Sequence, residues 1–249
     1  MLKTFARGRL FGASYGDGRP WVLALPGWTR THRDFGAVLE GIDAVAIDLP
    51  GFGAAPPPPE AWSTADYAEW VAPVLDDLVP GSVVLGHSFG GRVAVHLGAT
   101  HPDTVGALVL TGVPLVRNPH AANRRSPASF RLGKVLHRWG LVGETRMEAM
   151  KRKHGSADYR AATGVMRDVL VKAVNETYDR QLAAFPGPIE LIWGDDDDQV
   201  PIAAAEAALV ACRDGTLTRL AGVGHFTPQH AAGRLRAALE RHRPTTDEG

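Results

Sequence analysis

The chain has one cysteine, Cys212, so no disulfide can form within it, and a reducing compartment is the simpler setting. It has no excess of either charge: 27 lysines and arginines face 27 acids. A balanced chain has no global attraction for nucleic acid or for an anionic membrane surface, so neither is expected as a partner. No run of about 18 apolar residues occurs, which leaves no candidate transmembrane helix. The first residues, Met1-Leu2-Lys3-Thr4-Phe5, lack the apolar stretch of a signal peptide. No internal repeat is visible. These absences together lead to the expectation of an unanchored, cytoplasmic protein. Cys212 itself lies in an alanine-rich helical run, where a small packed hydrophobe is expected.

What the chain does have is a set of short, mainly apolar runs. Trp21 to Leu25, Ala44 to Ile47, Val83 to Leu85, Ala107 to Leu110, Ile189 to Trp193 and Leu217 to Leu220 are of this kind. Runs without polar alternation suit strands covered on both faces. Helical patterns separate them, near 31–40, 64–79, 89–100, 202–212 and 230–241. Strand alternating with helix predicts an α/β fold, a mostly parallel sheet flanked by helices, with ligands at the carboxyl ends of the strands. Residues 5–16 are short and glycine-punctuated, and suit an added strand or hairpin. Ser63 with Asp66 three residues on reads as a helix start. The Pro56–Pro59 run reads as a rigid surface connector. The polar tail, 242–249, is expected to fray.

One segment breaks the alternation. Between Val113-Pro114 and Pro186-Gly187-Pro188 no convincing strand occurs, while Phe130 to Leu136 and Val165 to Val171 carry helical patterns. A structureless loop of that length is unusual in a compact domain. The expected organisation is a core of 1–114 and 186–249, with 115–185 inserted as a helical cap whose later part packs back on the core.

The chemistry concentrates in Ser82-Val83-Val84-Leu85-Gly86-His87-Ser88-Phe89-Gly90-Gly91. An apolar strand runs into Gly-x-Ser-x-Gly, and a helical pattern follows. A serine at the apex of such a turn sits in a strained backbone, and side chains at Gly86 or Gly90 would crowd the neighbouring chain. The turn exposes the Ser88 hydroxyl and leaves the Phe89 N–H at a helix start, where it can face a developing oxyanion. A plain structural turn is the competing reading. A serine hydroxyl needs a base to take its proton, usually a histidine oriented by a carboxylate. Both follow later strands: Gly194-Asp195-Asp196-Asp197-Asp198-Gln199-Val200-Pro201 after one, Gly222-Val223-Gly224-His225-Phe226 after the last. His225 is the candidate base. His87 and His96 flank the turn and read as structural.

With these residues the chain resembles the α/β-hydrolase superfamily over essentially its whole length. Leu25-Pro26-Gly27-Trp28, Gly86-His87-Ser88-Phe89-Gly90-Gly91 and the Asp and His stretches carry the resemblance. It implies Ser88, Asp197 and His225 as a catalytic triad, since the acid in such proteins usually stands three residues after the strand-ending glycine with Val-Pro beyond it. Asp196 and Asp198 remain alternatives. It also implies the backbone N–H of Trp28, with that of Phe89, as the oxyanion hole. The family often has His-Gly where this chain has Pro26-Gly27, so a buttressing side chain is missing there. Trp28 either walls the acyl pocket or packs.

The implied activity is hydrolysis of an ester, thioester or related acyl bond of a small molecule, with no metal and no organic cofactor. The same site could instead serve carbon–carbon bond hydrolysis or a lyase of the menaquinone-synthase type. A small-molecule receptor with a slow, vestigial site is the rival of another class. Arg92 lies one helical turn past Ser88. In relatives resembling menaquinone-pathway synthases an arginine there holds a substrate carboxylate, and an ion pair inside the protein is the plainer reading. From Arg117 to Arg160 there are eleven lysines and arginines against three acids. Such a segment either forms a solvated surface or attracts an anionic or carrier-bound acyl substrate.

Overall fold

The computed structural model describes residues 2–116 and 157–245. Most of the expected cap therefore lies outside the described residues, including Phe130 to Leu136 and ten of the eleven basic residues of 117–160.

Among the described residues, eight strands form one sheet: β1 (Lys3–Phe5), β2 (Leu10–Tyr15), β3 (Val22–Leu25), β4 (Ala44–Asp48), β5 (Ser82–His87), β6 (Val105–Thr111), β7 (Ile189–Gly194) and β8 (Gly215–Leu220). Their order is β1-β2-β4-β3-β5-β6-β7-β8. The first hairpin pairs antiparallel, and β2 joins β4 antiparallel. Every other pairing is parallel. The apolar runs are the strands of this parallel part, and β3, β4, β5 and β7 are buried at every position. Successive side chains go to opposite faces. On one face Leu23, Leu25, Val45, Ile47 and Val84 join one core cluster. On the other Val22, Ala24, Ala44, Val83 and Leu85 join a second.

Helices cover both faces: α1 (Gly36–Leu39), α2 (Thr64–Val71), α3 (Phe89–Thr100), α4 (Ala157–Ala161), α5 (Gly164–Ala173), α6 (Asp179–Ala184), α7 (Ile202–Leu209), α8 (Thr227–His230) and α9 (Ala232–Arg241). Three are shorter than their sequence patterns. The 31–40 stretch begins as a 3-10 turn, His32–Phe35, before α1. The 64–79 stretch changes to 3-10 geometry at Ala72–Asp77, where Pro73 removes a backbone donor. α7 stops at Leu209, so Cys212 lies just beyond the helix. Cys212 is half-buried with its Sγ 3.4 Å from the Ala208 carbonyl oxygen, and burial pushes its thiol up to about 11. The start of α2 is as expected, with a reciprocal capping box between Ser63 and Asp66.

Helices α5 and α6 are fastened to the core by polar contacts. Glu176 accepts from the Thr64 hydroxyl at the start of α2 and from the Tyr178 hydroxyl, at 2.5 and 2.8 Å. The Lys172 ammonium donates to the Ala61 carbonyl. Tyr178, Leu182 and Phe185 are fully buried in the cluster that also holds α3. Met166 of α5 presses on Gly51, where a Cβ would overlap its sulfur. Among the described residues no helix is long and apolar enough to cross a membrane.

Candidate active site

The strand ends of β3, β5, β6 and β7 and the loop after β8 meet at one rim. Ser88 stands at the apex of the β5–α3 turn with φ 49° and ψ −114°. Thr29, in the loop after β3, is also left-handed, with φ 57°. Such backbone is costly for a residue with a Cβ and persists only where its surroundings enforce it. Here the surroundings are visible. The Ser88 N–H donates to the Thr111 carbonyl at 2.9 Å, tying the turn to the end of β6. A Cβ on Gly86 would overlap Gly91 Cα, and one on Gly90 would overlap the Leu25 carbonyl. The glycines let the two chain segments close on the serine, as expected from the motif.

Asp197 and His225 are a buried pair. The His225 Nδ1 lies 2.8 Å from Asp197 Oδ2, with side-chain exposures of 6% and 1%. The other carboxylate oxygen accepts from the Gln199 and Val200 N–H groups, at 3.0 and 2.7 Å. Three hydrogen-bond partners on one carboxylate fix its orientation. The neighbouring acid differs: Asp195 is partly exposed and paired with Arg219 at 2.8 Å. The two loops are stitched together by backbone, Asp195 N–H to Leu220 C=O and Asp196 N–H to Val223 C=O, each 3.0 Å. Trp193 Nε1 donates to the Val200 carbonyl at 2.8 Å and closes the acid loop on β7.

Gly112, which no motif in the sequence marks, has a role at this site. Its φ is +60°, and a Cβ there would stand 3.0 Å from both His225 Nδ1 and Cε1 and 3.4 Å from Asp197 Oδ2. Only a glycine satisfies both the backbone and the space. The signal in the sequence was a glycine directly after an apolar strand, Thr111-Gly112, but its neighbour in space was not legible.

A cleft of about 130 Å³ opens at this rim, with Ser88, His225, Trp28, Arg30, Gln199 and Asp158 among its lining. Ser88, His225 and Trp28 are thus brought to one cavity. Asp197 stands behind His225. Phe89 is buried beneath, its ring against Trp28 and Tyr67 at 5.3 and 5.1 Å between centroids. Trp28 also packs edge-on against Phe52 at 4.8 Å, so its ring both lines the cleft and joins a cluster. The Phe89 N–H, first in α3, is one of the donors a helix start leaves without an intrahelical acceptor. Arg30 holds Asp34 through two nitrogens, at 2.5 and 2.8 Å, and stacks over Phe226.

Arg92 is placed elsewhere. Its guanidinium donates to the Ala173 carbonyl and lies 5.9 Å from the Tyr178 ring centre. It is 7% exposed and not part of the cleft lining. The expected ion pair is also not its contact; it holds a backbone carbonyl of α5. His96 packs edge-on against Tyr178 at 5.6 Å. No group of His, Cys, Asp and Glu suited to a metal occurs among the described residues.

This is the arrangement of an α/β hydrolase, and the chain belongs to the alpha/beta hydrolase family, whose model matches residues 22–238. An esterase of Mycobacterium tuberculosis is 36% identical over 124 residues, which is 46% of this chain and 40% of that protein. A 2-hydroxy-6-oxononadienedioate/2-hydroxy-6-oxononatrienedioate hydrolase of a Pseudomonas species is 25% identical over 82% of this chain and 79% of its own. A solved thermophilic esterase from Thermogutta terrifontis is 19% identical and superposes with a TM-score of 0.66 over 95% of this chain and 96% of that one. The protein is a hydrolase enzyme.

Proposed function

We propose that this hydrolase cleaves an ester, thioester or related acyl bond through Ser88, His225 and Asp197. One observation carries the reading: a buried, oriented Asp197–His225 pair faces the same cleft as a serine held on a strained turn. In this reading Asp197 holds His225 in the tautomer with hydrogen on Nδ1, leaving Nε2 free to accept. His225 Nε2 takes the Ser88 proton as Oγ attacks the carbonyl carbon. The carbonyl oxygen becomes negative and is met by the backbone N–H groups of Phe89 and Trp28. The tetrahedral intermediate collapses, the imidazolium protonates the leaving alcohol or thiol, and an acyl-serine remains. Water, deprotonated by His225, attacks that ester and releases the acid. No step calls on a cofactor.

In the same reading 115–185 is the cap over a core of 1–114 and 186–249. Its support is that α4 brings Asp158 to the cleft. The acyl substrate is anionic or carrier-bound, with its charged part lying outside the cleft. The basic surplus of 117–160 supports that, while Asp158 disfavours an anion at the scissile end and Arg30 is already met by Asp34.

A carbon–carbon hydrolase or lyase reaction at this site is the second reading, favoured by the likeness to the oxononadienedioate hydrolase over most of both chains. Steady-state assays of matched aryl esters, acyl thioesters and vinylogous 1,5-diketones separate the two. Ester or thioester kcat/KM well above that for the diketone is expected; the reverse order replaces the first reading with the second. Tight ligand binding with no turnover of any of them points to a receptor.

A further inference from the structure

We propose that His87, the residue before Ser88, is a positioning residue that fixes the loop carrying His225 and thereby sets the base over the nucleophile. The inference rests on His225 acting as the general base. His87 is 1% exposed, and its Nε2 lies 3.0 Å from the backbone oxygen of His225. A carbonyl can only accept, so Nε2 carries the hydrogen and Nδ1 is bare. Among the described residues that buried Nδ1 has no hydrogen-bond partner. Leaving a buried acceptor unmet is unfavourable, so the residue type is not explained by filling space. A phenylalanine would fill the same space without an orphaned atom. What it could not do is donate to His225.

The His225 carbonyl also accepts from the Thr227 N–H, at 3.0 Å, but that bond stays within the loop. The stretch before it, Gly222-Val223-Gly224, has Gly222 at φ +74° and is tied to the acid loop by the Val223 carbonyl, which accepts from the Asp196 N–H at 3.0 Å. His87 is the link from this carbonyl to the central sheet, since it ends β5. On its other side its ring sits against the loop after β3: a Cβ on Gly27 would stand 3.0 Å from Nδ1 and 3.2 Å from Cε1. The two histidine rings are 5.0 Å apart. One imidazole thus touches the segment of Trp28, adjoins Ser88 and bonds the segment of His225. A base displaced by about an ångström loses its reach to the hydroxyl, a loss that falls on the chemical step.

The test compares His87→Phe, which keeps the ring, with His87→Gln, whose amide nitrogen reaches the same point and donates. Both are made in the full chain. Turnover of an aryl ester is measured beside the downfield proton resonance of the His225–Asp197 bond, with thermal melts to report folding; His87→Leu is a second donor-less variant should Phe not fold. In His87→Phe, kcat is expected to fall about 10- to 100-fold with KM within about twofold, and the downfield signal to broaden. His87→Gln is expected to recover most of both. Wild-type kcat in a donor-less variant, or equal loss in folded Phe and Gln variants, or a change confined to KM, overturns the proposal. Failure of the underlying reading shows separately, as undiminished turnover in Ser88→Ala.

Discussion

His225 Nδ1 and Asp197 Oδ2 are 2.8 Å apart, and two backbone N–H groups hold the other oxygen of that carboxylate. Four aspartates stand in a row at this loop, and one of them makes these bonds. Asp197→Asn is therefore expected to lower kcat by about 10⁴-fold, because the amide cannot hold the imidazole in the required tautomer. Asp196→Asn and Asp198→Asn are expected to stay within about threefold of wild type, since neither bonds the imidazole. Ester kinetics on the three single variants check this; a large loss at 196 or 198 moves the acid.

Gly112 gives a second outcome. Alanine there meets both an unfavourable φ and the His225 ring. The backbone alone costs about 1–2 kcal/mol. Gly112→Ala is expected to lower Tm by several degrees and kcat by at least about tenfold, as the imidazole is pushed from Asp197. A variant with lowered Tm and unchanged kcat would show that the ring tolerates the shift.

His87 gives the molecule an acid sensitivity. Burial, and then the neighbouring His225, push its imidazole down to about 4 from an ordinary 6.5. Between those values the unfolded chain binds a proton that the folded one refuses. Stability therefore rises with pH from about 4 to about 6.5 and is flat above. The full span corresponds to roughly 3 kcal/mol. Denaturant titrations at pH 4.5 and 7 are expected to differ in this direction, and His87→Gln to narrow the difference. Burial lowers His96 in the same sense.

Arg92 is expected to matter for stability and not for substrate charge. Its bond to the Ala173 carbonyl secures α5 to α3. Arg92→Ala is expected to cost about 1.5–3 kcal/mol, as for other hydrogen bonds from charged groups. The ratio of KM for carboxylate-bearing and neutral esters should not move. A selective rise in KM for the carboxylate ester would return Arg92 to the substrate.

Much of this was legible from residue order, and the limits have physical causes. Runs such as Val22–Leu25 are apolar throughout because helices cover both faces, so strands and sheet class could be read. The glycines around Ser88 could be read because a tight turn demands them wherever it occurs. Partners in space could not. Nothing in Thr111-Gly112 announces His225, more than a hundred residues on. His87 looked structural because its donor role exists only once the His225 carbonyl is beside it. Arg92 sits one turn from Ser88 in register, yet a long side chain chooses its own direction, here toward α5. Helices α2 and α7 end at Val71 and Leu209, short of the apolar periodicity, and for α2 the cause is Pro73, which lacks the backbone donor an α-helix needs there.

The basic surplus of 117–160 makes a solution prediction. kcat/KM for an acidic ester is expected to fall with added salt, and for a matched neutral ester to stay nearly level. Equal salt dependence would reduce that surplus to a solvated surface.

Labelling with a fluorophosphonate tests the nucleophile most directly. One equivalent is expected to attach to Ser88, located by peptide mass, with matching loss of ester turnover. Ser88→Ala is expected to take no label and to lose on the order of 10⁶ in kcat. Label on another residue, or undiminished ester hydrolysis by Ser88→Ala, would contradict the assignment.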